Sequence, residues 1–135
     1  MLITKILIAI CAIFLIILIA KTCSNGMQCK MSRSKRSKSY YISGHKMYSA
    51  MFLSLMIATI VLIKISVYAG ILPKPDAQTL LTHVISSGIF LTLFLSIKFH
   101  FTGIRYPKIH KFLAYSCLAS FLFALTSGTI MLWHL

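Results

Sequence analysis

From Ile6 to Ala20 the chain carries no charge, no hydroxyl and no glycine. Such a run has no polar face to turn to water, and it is not alone. Four stretches, at about 2–20, 47–72, 79–99 and 112–133, each supply the roughly 20 apolar residues a helix needs to cross ~30 Å of hydrocarbon. Since lipid satisfies no backbone hydrogen bond, each must be a helix. The expected fold is an all-α integral membrane protein, a four-helix transmembrane bundle forming one membrane domain over 1–135. With 59% hydrophobic residues and a mean hydropathy of +0.89, water-soluble folds are set aside.

The formal charge of +13 suggests a nucleic-acid partner until the basic residues are placed. Lys21, Lys30, Arg33, Lys35, Arg36, Lys38 and Lys46 make up half of the 14 Lys and Arg residues, and Lys98, Arg105, Lys108 and Lys111 surround the third connection. The second connection sets Lys74 against Asp76. The positive-inside rule then puts the first and third connections in the cytoplasm and both termini outside, as in a bacterial inner-membrane protein. Topology alone requires this charge, so no nucleic acid is expected. Membrane lipids, anionic headgroups included, are the expected neighbours.

Lys5 before an apolar run resembles a signal peptide. The run is long enough to span and a basic segment follows it, so a retained helix is expected. Having no polar stripe, that helix should face lipid over most of its surface. The Ser-, Lys- and Arg-rich stretch 21–46 buries too little apolar surface to offset its ordering and is expected to be a mobile or surface-lying cytoplasmic loop. Tyr40 and Tyr41 then mark headgroup level.

Small residues recur every four positions in the later helices: Ala50, Ser54 and Ala58; Gly88, Thr92 and Ser96; Ser116, Ser120, Ala124 and Gly128. These stripes are expected to be the packing faces that join helices two, three and four. Pro73-Lys74-Pro75-Asp76 reads as the outer turn, with Asp76 the N-cap of the third helix. Lys64 is placed to snorkel to the outer interface, and a speculative proton path would use Asp76, His83 and Lys64.

The five histidines stand near helix ends. His45, His100 and His110 belong to the cytoplasmic side; His83 and His134 lie toward the outer face. Helices two and four run parallel, so His45 and His110 come at matching depth, as two axial ligands of one heme iron must. Each ligating imidazole needs its second nitrogen hydrogen-bonded, by Ser49 or by a nearby backbone carbonyl. His83 with His134 is a second candidate pair. Histidines near an interface also serve simply as amphipathic anchors.

One Asp and no Glu rule out paired-carboxylate catalysis, a carboxylate-bridged metal site and a Ser-His-Asp triad. Electron transfer or accessory work is therefore expected ahead of stand-alone catalysis. Copper is the alternative cofactor. The three cytoplasmic histidines, His100 among them, are one ligand set, and Cys23, Met27, Cys29 and Met31 offer soft sulfur suited to Cu(I). Cys11 and Cys117 lie within helices as small apolar residues. Cys23 and Cys29 match no zinc spacing.

At Gly44-His45-Lys46, Thr82-His83-Val84, His110-Lys111-Phe112-Leu113-Ala114-Tyr115 and Leu125-Thr126-Ser127-Gly128 onward to Trp133, the chain resembles a small bacterial multi-helix membrane family that includes the oxidase-assembly protein CtaM. More loosely it resembles the four-helix, two-heme transmembrane cytochromes b. The resemblance covers about 43–133 and implies His45, His83 and His110 as functional positions. The long basic stretch and the histidine-free first helix depart from the two-heme pattern. Together these readings lead to a b-type heme protein of a respiratory complex, receiving electrons from a donor such as quinone in its reduced form. The alternative is an accessory or assembly factor for a heme-copper oxidase, handling copper or heme. Other membrane subunits are the expected partners.

Overall fold

A computed structural model describes residues 2–100 and 105–134, with side chains as far as Met131. The described chain is all-helical: α1 (Leu2–Met31), α2 (Lys35–Tyr68), α3 (Ala77–Phe99) and α4 (Pro107–His134). All four are long and apolar enough to cross a membrane. The expected fold class holds.

The chain divides into two compact units, Met1–Leu72 and Pro73–Leu135, each a helical hairpin. In the first, α1 packs against α2. Ile8 and Leu15 are its buried residues, seven apart, and the remaining apolar side chains of α1 are mostly exposed, as expected of a helix bathed in lipid. Phe52, Thr59 and Ser66 are the buried residues of α2, again at intervals of seven, the repeat of a left-handed helix pair. Inside hydrocarbon the two hydroxyls need acceptors. Thr59 donates to Leu55 O and Ser66 to Leu62 O, each at 2.8 Å.

The stretch 21–46 is not a loop. Apart from Ser32 to Ser34, it continues α1 and opens α2. Low apolar content does not decide the matter here because the costly step of helix formation, nucleation, is already met by the membrane-embedded turns. Lys, Arg, Gln and Met then propagate a helix at little cost. Cys23, Met27, Cys29 and Met31 are accordingly helical residues of α1.

Helix α2 ends at Gly70, which takes a positive φ of 71°. That left-handed turn lets Ile71 N–H reach back to Ser66 O at 2.9 Å, and Pro73 and Pro75 prevent the helix from resuming. Leu72, just past the turn, is almost fully buried. Helix α3 starts where Asp76 accepts the Thr79 N–H at 2.9 Å, the cap expected from sequence.

In the second hairpin Phe90 meets Phe121 with ring centroids 5.4 Å apart. Around this contact α4 buries Cys117, Phe121, Ala124 and Met131, in steps of four, three and seven, and α3 buries Ser86 and Phe90. The small-residue stripes fare differently from helix to helix. That of α4 lies on the packed side, with Ala124 buried and Gly128 against α3. Ala50, Ser54 and Ala58 of α2 are exposed, as are Gly88 and Thr92 of α3. Those two stripes point away from their hairpin partners, which are met by bulkier side chains instead. Within the two units, α1 packs against α2 and α3 against α4.

Candidate functional site

Two histidines are built into the hairpins. His45 stands on α2 at the level where the apolar run gives way to charge, next to Lys46 and facing Thr22 of α1. Its Nδ1 lies 2.8 Å from the carbonyl oxygen of Thr22. A carbonyl only accepts, so Nδ1 carries the proton, and in the neutral ring Nε2 keeps the lone pair. The Thr22 hydroxyl in turn donates to Leu18 O at 2.8 Å.

A Cβ on Gly26 would make an ordinary contact with the ring, 3.4 Å from His45 Nδ1. Next to His45, a Cβ on Gly44 would come within 2.7 Å of Asn25 Nδ2. The tight point of the approach is Gly44, where any side chain would press on Asn25. Of the partners expected for His45, a backbone carbonyl is found, that of Thr22.

His83 sits half-buried between α3 and α4. Its Nδ1 is 3.1 Å from Ser127 Oγ, and Ser127 donates its own proton to Ala124 O at 3.0 Å. Ser86 Oγ lies 3.3 Å from Ser127 Oγ and donates to His83 O at 3.0 Å, while Ser87 Oγ is a distant 3.5 Å from Nε2. The ring lies over Gly128, where a Cβ would fall 2.9 Å from Cε1. Sequence reasoning singled out His83 and missed Ser127. The available signal was Thr126-Ser127-Gly128, hydroxyls beside a glycine in an apolar helix, which in lipid pair with a polar group across the interface.

The remaining candidates are more plainly placed. His110 is half-buried in the first turn of α4, its N–H donating to Tyr106 O at 2.8 Å. His100 caps the C-terminus of α3 and is exposed, and the His134 side chain lies outside the described residues. Lys64 is exposed one turn before the end of α2, where its stem can carry the ammonium to the interface. Asp76 is exposed, and Thr79, through its side chain and its N–H, holds the carboxyl below the usual carboxylate range.

Within either hairpin, no three His, Cys, Asp or Glu side chains of the described residues gather at one point. None of the four cysteines is in a disulfide. A shallow groove between α3 and α4 is lined by Ile85, Ile89 and Phe123 with the hydroxyls of Thr82, Ser86 and Ser120. Each hydroxyl is already bonded to a carbonyl of its own helix. No family model, curated protein or solved structure matches this chain.

Proposed function

We propose that this is a membrane-embedded b-type heme protein that passes electrons within a respiratory complex, with His45 and His110 as axial ligands. The observation that supports the reading is the bond from His45 Nδ1 to the Thr22 carbonyl. An iron-ligating imidazole needs its outer nitrogen protonated and fixed by an acceptor, which orients the ring and raises the basicity of the other nitrogen. The donor set fits: imidazoles are the usual ligands of such a heme, and the scarcity of carboxylates disfavours a hard-metal site. Heme, when bound, supplies the one-electron couple. The chain's own part is to hold the His45 ring in one tautomer at the edge of the hydrocarbon.

The test is a reduced-minus-oxidised absorbance spectrum of protein purified in mild detergent. Sharp visible bands are expected, abolished in both His45→Ala and His110→Ala and retained in His100→Ala. A protein without bands, or bands unaffected by His45→Ala, overturns the reading.

A second reading has its own observation. Cys23, Met27 and Met31 follow one another every four residues and are all exposed, so α1 sets soft sulfur along one side of a helix beyond the apolar run. An accessory subunit that hands Cu(I) to a heme-copper oxidase would need such ligands. Copper retained through purification and lost in a Cys23→Ser, Met27→Leu double variant supports this reading over the first.

A further inference from the structure

We propose that the basic end of the α1–α2 hairpin is a rigid arm that stands clear of the bilayer and docks an acidic segment of a water-soluble protein. Its geometry follows from the two helices being continuous. The apolar runs end together at Lys21 and Lys46, a level fixed by the bond between His45 and Thr22. Past it α1 continues from Thr22 to Met31 and α2 begins at Lys35. At 1.5 Å per residue the arm projects about 15 Å.

The headgroup layer takes up only about 5–7 Å of that length. Tyr41 falls near its level, about 7 Å beyond Lys46. Tyr40 and Tyr41 pack edge to face there, ring centroids 5.5 Å apart, as anchoring aromatics do. Lys38, Arg36 and Lys35 lie roughly 12–17 Å past Lys46, beyond the lipid phosphates by about one Debye length.

Lys30, Arg33, Lys35, Arg36 and Lys38 are all exposed on this end. The hairpin itself contains no Asp or Glu, since the only acidic residue of the chain is Asp76. Four of those cations also crowd the start of α2, where the helix dipole is positive and an acidic residue would normally be found. The local field is thus left without any counter-charge from the hairpin. Orienting a fixed line of cations in water favours a complementary acidic face, steers its approach and sets its register. Lipid headgroups lie below the line of charge and do not reach it.

The test uses the full chain in nanodiscs. A spin label at Ser37→Cys, in a background lacking the four native cysteines, should show the high ratio of water-soluble-relaxant to oxygen accessibility of an aqueous site, in neutral and anionic bilayers alike. An oligoglutamate peptide should bind in a salt-sensitive way. Replacing Arg33, Lys35, Arg36 and Lys38 together by Gln should weaken it about tenfold or more, as several exposed charge pairs are lost. The proposal is overturned by a label at lipid depth, by peptide binding that the Gln variant leaves unchanged, or by a DNA oligonucleotide of matched charge binding more tightly than the peptide. These readouts do not involve heme.

Discussion

At the scale of single residues, two glycines of the second hairpin sharply separate what composition suggests from what contact imposes. Gly88 and Gly128 both belong to four-residue stripes, yet a Cβ on Gly88 would meet nothing within 4 Å while one on Gly128 would press into the His83 ring. Gly88→Ala should therefore be neutral or stabilising by up to about 0.5–1 kcal/mol, through the helix entropy it removes. Gly128→Ala should destabilise by about 1–2 kcal/mol, since the ring can only yield by leaving Ser127. Reversible unfolding in detergent mixtures measures both, and a Gly128→Ala protein as stable as the parent contradicts the placement of His83. The histidine itself was legible in sequence because an imidazole is rare in hydrocarbon. Its partners were not, because serine and threonine hydroxyls bond equally well to their own helix, as Thr59, Ser66 and Ser120 do.

At the scale of elements, the limits of α3 were readable because a proline-rich turn and a lone Asp leave few alternatives. Asp76 caps the helix through Thr79, and its carboxyl pKa is lowered in the folded chain. A depressed folded pKa means that the cap contributes fully above the unfolded-state value and is lost as pH falls through the lower folded one. The Thr79 amide resonance should accordingly titrate with a midpoint below about 3.9, the value of an unperturbed Asp. A midpoint at or above that value contradicts the cap, and Asp76→Ala should abolish the transition. The limits of α1 and α2 were harder to read. A polar stretch between two membrane helices has the composition of a loop, and only its attachment to two preformed helices, joined through His45 and Thr22, makes helix the cheaper state. Which face each helix buries was equally hidden. These helices are apolar all round, so no amphipathic stripe marks the buried side as it does in water.

For the whole molecule, α2 carries the argument. It runs from the basic turn to the Pro73–Pro75 turn as one helix long and apolar enough to cross a membrane, so the expected topology puts Ser37 and Lys74 on opposite sides. Charge distribution chooses which side is which. In a cysteine-free background, a membrane-impermeant thiol reagent should label Ser37→Cys only from the cytoplasmic face and Lys74→Cys only from outside. The reverse pattern refutes the topology and with it the placing of His45. The amino-acid sequence by itself determined the all-α class, four membrane-length helices and the rarity of acid, because hydrocarbon admits no unpaired backbone and every apolar run must satisfy itself. Tertiary structure decided that α1 belongs with α2 and α3 with α4, that the basic stretch is helix, and that Thr22 and Ser127 serve the histidines. Those outcomes depend on close approach between particular side chains, and surfaces of uniform hydrophobicity do not encode which of them meet.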